Sequence, residues 1–153
     1  MKDDNINKKE RKLNIQLVPD GCFHYNLRYV LPKRLWDFIR KNAYDEAGGR
    51  CMLCGEKTVK PHAHETWEYD GEKGIAKLTG VIAVCEKCHS AIHMNYTALK
   101  GDLISAENQY MKVNGVSYSE MKKDLGEANE KQKKLNEVSE WVMDISYLSR
   151  YVK

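Results

Sequence analysis

The chain has 153 residues, 42% of them hydrophobic and 31% charged, with 25 Lys and Arg against 22 Asp and Glu for a net charge of +3. That length fits one domain with a core large enough that no metal need carry the whole fold. No stretch approaches a membrane span, Met1–Lys12 has no apolar run of the signal-peptide kind, and the charge sum is weak evidence for a nucleic-acid partner, since its distribution matters more.

Residues 1–12 are charged and read as a flexible N-terminus, with one domain over 13–153. Leu13–Val18 and Phe23–Val30 alternate as strands do, and Pro19-Asp20-Gly21 between them is a turn signal. Pro32 suits the first turn of a helix over about 33–47, whose apolar face holds Leu35, Trp36, Phe38, Ile39, Ala43 and Tyr44 and which Gly48-Gly49 ends. Residues 1–50 carry 11 basic and 7 acidic side chains, so any basic face is mostly N-terminal. Arg34, Arg40, Lys41 and Arg50 form either a solvated face or a nucleic-acid-binding one that contacts phosphates.

The middle of the chain carries the chemistry. Cys51-x-x-Cys54 and Cys85-x-x-Cys88 are two knuckles with the spacing of a tetrahedral zinc site, since zinc prefers thiolates and a two-residue gap presents both sulfurs to one ion. Paired knuckles in a chain without an export signal suggest metal in a reducing cytoplasm, and hence a cytoplasmic protein. Cys22 is left over and reads as a small buried hydrophobe. Thr58–Tyr69 reads as a strand with His62 and His64 on one side and Trp67 and Tyr69 on the other. Asp70 opens a turn, Ala76–Val84 returns as a second strand, and a helix runs from Cys85 to Met94 or beyond. His89 and His93 are i and i+4 on that helix and share a face. The order is knuckle, hairpin, knuckle, helix: a ββα unit over 50–95 whose ends zinc ties together. His24 has no motif around it.

The remainder, 96–153, is a helical extension. Leu103–Val113 ends at Asn114-Gly115. Ser117 and Glu120 fit a capping box that opens a polar helix to about residue 138. Trp141–Ile145 is a closing strand that can pair with the N-terminal strands.

At CMLCG, HAHETWEYD and LTGVIAVCEKCHSAIH the chain resembles the HNH endonucleases, the ββα-metal or His-Me finger nucleases, over roughly Arg50 to Asn95. It is similar to small bacterial and phage HNH proteins carrying His64, Glu65, Trp67, Tyr69, Asp70, Leu78, Gly80, Cys85, Cys88, His89 and His93 in this spacing. The resemblance implies an α+β fold with a ββα-metal core stapled by a four-cysteine zinc site, N-terminal strands plus helix and a C-terminal helical extension. It also implies metal-dependent hydrolysis of DNA phosphodiester bonds, leaving 5′-phosphate and 3′-hydroxyl ends. His64 stands where the family has its general base, and His89 and His93 where it has ligands of a catalytic ion. That ion is Mg2+, Mn2+ or Ni2+, and two imidazoles favour the transition metals. His62 and Glu65 are secondary candidates. The implied partner is double-stranded DNA, with no membrane, and with a homodimer or a protein partner left open. Two departures stand out. Ala63 occupies a position where many members carry a metal ligand, and Gly80, nine residues before His89, replaces the family's asparagine. These keep alternatives open: a weak or inactive zinc-binding module acting by nucleic-acid or protein binding, such as a phage modulator of a host defence.

Overall fold

The computed structural model describes residues 10–152. The expected flexible segment at 1–12 lies outside them up to residue 9. The protein is mixed α+β: helices α1 (Leu27–Val30), α2 (Lys33–Ala47), α3 (Glu86–Ile92), α4 (Met94–Leu99), α5 (Leu103–Asn114) and α6 (Tyr118–Leu135), and strands β1 (His62–Asp70), β2 (Ile75–Val84) and β3 (Val142–Asp144). The strands form one sheet in the order β1-β2-β3. Among the described residues no helix is long and apolar enough to cross a membrane.

The sheet grows from the β1–β2 hairpin. At its turn the Asp70 carboxylate accepts from the N–H groups of Glu72 and Lys73, both at 3.0 Å, the Asx geometry that makes Asp a turn former. Gly74 ends the turn at φ 66°, and a Cβ there would sit 2.7 Å from the Glu140 carbonyl oxygen. That close approach lets Val142 N–H donate to the Gly74 carbonyl at 2.7 Å and start β3. Pairing is His64 with Ile82 and Thr66 with Gly80, then Trp67 with Leu78, so Thr79 is bulged out. Its hydroxyl donates to the Thr66 carbonyl at 3.0 Å and lies 2.8 Å from the Thr66 hydroxyl.

Three apolar clusters hold the elements. Leu27, Trp36, Ile39 and Ala43 pack α1 and α2 on Leu78 and Val81 of β2 and on Leu148. Val84, Ala91, Ile92, Met94, Ala106, Tyr110 and Met121 join the end of β2 to α3, α4, α5 and α6, with Leu13 laid across them. Cys22, Ala76, Leu135 and Trp141 form the third, against Trp67 and Tyr69. Trp67 and Tyr69 are thus packing residues, and Cys22 is buried at 3% exposure, its thiol pushed up to about 11 by burial.

Several boundaries agree with the sequence reading. Helix α2 ends at left-handed Gly48 and α5 at left-handed Gly115, and Ser117 and Glu120 close a reciprocal capping box on α6.

The N-terminal strands do not form. Leu13–Val18 joins no ladder, and its backbone bonds to helices instead. Leu13 N–H donates to the Asn114 side chain at 3.0 Å, and Asn114 donates back to the Leu13 carbonyl at 2.9 Å. Gln16 N–H donates to the Ile92 carbonyl, and Gln132 to the Val18 carbonyl, each at 2.9 Å. Phe23–Val30 is a turn followed by α1, because Asn26 caps a helical turn by accepting from Tyr29 N–H at 3.1 Å. Nor does the closing strand meet an N-terminal partner: β3 pairs in parallel with Ile75–Lys77 of β2. The helix expected from Cys85 breaks at His93, where φ is −96° and ψ 50°, and resumes as α4. Strand β1 starts at His62, later than Thr58, and α6 stops at Leu135.

Candidate metal centre and histidine cleft

The first knuckle is a tight loop closed by the Arg50–Lys57 bridge and by Cys51 N–H donating to the Glu56 carbonyl at 2.9 Å. Met52 N–H donates to the Ala83 carbonyl at 2.9 Å, which docks the loop on the end of β2. That end runs directly into Cys85, whose sulfur caps α3 by accepting from Cys88 N–H at 3.4 Å. The ligand atoms of Cys51, Cys54, Cys85 and Cys88 lie within 4.8 Å of one another. Cys54 Sγ and Cys85 Sγ are 3.8 Å apart, the edge of a thiolate tetrahedron around zinc with bonds of about 2.3 Å.

The surrounding donors fit the same ion. Leu53 and Cys54 N–H groups point at Cys51 Sγ at 3.4 and 3.5 Å, and Gln109 donates to Cys88 Sγ at 3.2 Å. Burial works against ionising Cys51, but the backbone N–H groups of Cys54, Cys85 and Leu53 outweigh it and bring the thiol down to about 7. Burial raises Cys54 and Cys88. Four thiolates so close therefore need a cation to compensate their charge, and this cluster can bind zinc.

A second group lies beside the first. His64 stands on β1 at 4% exposure. His89 and His93 come from α3 and the break that ends it, and the α-turn between them is retained, with His93 N–H donating to the His89 carbonyl at 3.2 Å. Ligand atoms of His64, His89 and His93 lie within 4.8 Å of one another. Ring centroids are 4.9 Å apart for His89 and His93, 5.4 Å for His64 and His93, and 5.5 Å for His64 and His89. Burial, with the neighbouring imidazoles adding to it, lowers His64 to about 3 and His89 to about 4. Burial also lowers His93, against a hydrogen bond from its ring to the Gln16 backbone. All three rings are thus neutral at neutral pH, the state in which imidazole binds metal. The Gln16 bond on His93 is of the kind that fixes the tautomer of a ligand.

The other sequence candidates separate. His62 Nδ1 is 3.0 Å from His89 Nδ1, so His62 buttresses His89 from outside the triad. Glu65 points elsewhere: Oε1 accepts from Leu27 N–H at 2.9 Å, and burial raises its carboxyl above the usual range. Ala63 packs on the α2 cluster and also lines the cleft that holds the histidines, and as alanine it offers no ligand atom there. Gly80 lies opposite Thr66, and a Cβ there would stand 3.0 Å from the Thr66 hydroxyl oxygen. Arg40 is paired with Asp37 at 3.0 Å, and Arg50 donates to the Gly55 carbonyl at 3.1 Å. Arg34 and Lys41 are exposed, seven residues apart on a face of α2 turned away from Trp36. His24 is exposed.

The triad opens into a cleft of about 350 Å3 beside β1, an edge strand of the sheet, and Gln16, Trp36, Glu65, Trp67, Phe23, Arg28 and Tyr29 are among the residues that line it. Sequence reasoning missed Gln16, Gln109 and the residues Phe23, Arg28 and Tyr29 at the cleft. Asn26, a capping residue before an apolar position, was the one local signal for α1. No family model matches the chain, and no curated protein or solved structure matches it either.

Proposed function

We propose that the protein is a metal-dependent endonuclease of the HNH class that hydrolyses phosphodiester bonds in DNA. The observation that carries this reading is the convergence of His64 with His89 and His93. A strand imidazole faces two imidazoles one helical turn apart, on a hairpin-helix unit tied at both ends by four thiols. On this reading the four cysteines hold a structural zinc, and His89 and His93 hold a second divalent ion. When bound, that ion withdraws charge from a phosphate oxygen and from the leaving oxygen.

His64 supplies the proton acceptor. Its ring is neutral and has a lone pair available, and water is the nucleophile. The water oxygen forms a bond to phosphorus, the water proton passes to His64, and the bond from phosphorus to the 3′ oxygen breaks. That oxygen leaves as a 3′-hydroxyl after taking a proton from solvent, and the 5′ side keeps the phosphate. Charging a buried His64 is unfavourable in the free protein. An anionic phosphate in the cleft provides the missing counter-charge, so proton acceptance is favoured only with substrate present. His62 against His89 and Gln16 against His93 hold the other two rings in place.

The same distances support a second reading of His64. Three imidazole nitrogens within 4.8 Å also suit a three-histidine ion site with an open position. There His64 is a ligand, and the base comes from solvent or substrate.

The test is metal-stripped protein incubated with supercoiled plasmid, with magnesium, manganese, nickel and zinc returned separately. The nuclease reading expects relaxation of the plasmid with manganese or nickel above magnesium. No cleavage of DNA with any of these ions refutes it and leaves a binding module.

A further inference from the structure

We infer that the cleft beside the histidines binds single-stranded DNA, with Tyr29 and Phe23 as stacking platforms for bases and Arg28 as a phosphate contact. The inference rests on the nuclease reading for the polymer involved, and it refines which form of that polymer is held. Tyr29 is 79% exposed and Phe23 58% exposed, yet both line the cleft that also contains His64, His89 and His93. Aromatic faces left in water gain nothing for folding, and two of them at the mouth of one concave site mark it for a ligand with flat apolar faces. Arg28, exposed in the same cleft, gives that ligand negative charge as well. Bases joined by phosphates have both properties, and stacking of bases on aromatic side chains beside a cationic groove is how unpaired strands are held.

The platform is also rigidly placed. Leu27 is fully buried, its N–H donates to Glu65, and the Asn26 side chain accepts from Tyr29 N–H. Glu65 adjoins His64 on β1, so the residue that anchors the platform is covalently next to the histidine of the triad. A paired base keeps its faces stacked inside the duplex and offers none to Tyr29 or Phe23. Tyr29, Phe23 and the three histidines line one cleft of about 350 Å3, so a single strand held on the platform shares that cleft with the histidines.

Binding is measured with no divalent ion added, by quenching of Trp36 and Trp67 fluorescence and by anisotropy of a labelled oligo-dT of about 16 nucleotides. The same strand annealed to its complement is the comparison. The single strand should bind at least about tenfold more tightly than the duplex, and Tyr29→Ala should weaken it by about five- to a hundredfold, the range for one stacked base. Tyr29→Phe should retain affinity, and Tyr29→Leu, apolar without a ring, should not. Circular dichroism checks that these exposed substitutions leave the fold intact. Equal affinity for single strand and duplex, or wild-type affinity in Tyr29→Leu, overturns the inference. Since no turnover is involved, a protein that binds the single strand but cuts nothing keeps this inference and loses the nuclease reading. A protein that cuts duplex with Tyr29→Ala as fast as wild type does the reverse.

Discussion

Asn114→Ala removes the clamp that holds the N-terminal segment in place. Asn114 is 3% exposed and Leu13 fully buried, and the two exchange hydrogen bonds at 3.0 and 2.9 Å. With alanine, the buried Leu13 N–H and carbonyl both lose their partner. Each unsatisfied buried group costs about 1–3 kcal/mol, and a water entering the vacated space would return part of this, so the net loss is about 2–4 kcal/mol. For a chain of this length that lowers the melting temperature by about 5–15 °C. The assay is thermal unfolding followed by circular dichroism, with zinc held at one saturating concentration so that ligand linkage is equal for both proteins. Leu13 leads to Gln16, whose backbone bonds to the His93 ring, so the variant should also bind a second divalent ion less tightly. A stability loss below about 0.5 kcal/mol, the range of an ordinary surface change, would refute the clamp.

Cys85→Ser should lower zinc from about one per chain and destabilise the fold by several kcal/mol, since structural zinc binding is folding free energy. Elemental analysis and chelator-induced unfolding check it. Burial raises the Cys54 and Cys88 thiols, so zinc binding must displace protons. Retention against a chelator should therefore weaken as pH falls, which a titration with a zinc indicator reads. Gly80→Asn, which places there the asparagine that HNH endonucleases carry, should cost about 1–3 kcal/mol by crowding the Thr66 hydroxyl and should bring no gain in cleavage rate. Thermal melts and plasmid assays decide that. Arg28→Gln should lower the salt slope of DNA binding by about one, and Arg34→Gln should change it less, because Arg34 lies away from the cleft; anisotropy across a salt series measures both.

What was legible in the sequence is what short-range chemistry writes into neighbouring residues. The two knuckles, the Ser117–Glu120 capping box and the left-handed glycines at 48 and 115 each need only a few adjacent positions. The juxtaposition of His89 and His93 needs only helical periodicity. What was not legible depends on partners far along the chain. Leu13–Val18 has strand-like alternation, but Asn114, Ile92 and Gln132 take its backbone bonds before any strand can. Phe23–Val30 alternates equally well, and Asn26 and Glu65 make its end helical. Residues 142–144 read correctly as a strand, yet only the folded hairpin, with Gly74 brought against Glu140, determines that they pair with β2 and in parallel. The cleft follows from these long-range contacts, so its aromatic wall could not be read beforehand.

The most direct measurement of the central claim, that the three histidines cut DNA, compares His64→Ala and His89→Ala with wild type across a manganese titration. Cleavage rate and ion affinity are read in the same samples. His64→Ala should keep the structural zinc, DNA binding and affinity for the second ion, while its rate falls by about a hundredfold or more. His89→Ala should lose ion affinity and regain part of its rate at high manganese. A loss of ion affinity in His64→Ala as large as in His89→Ala would make His64 a third ligand. Cleavage unchanged in both variants would contradict the claim that this site carries out the chemistry.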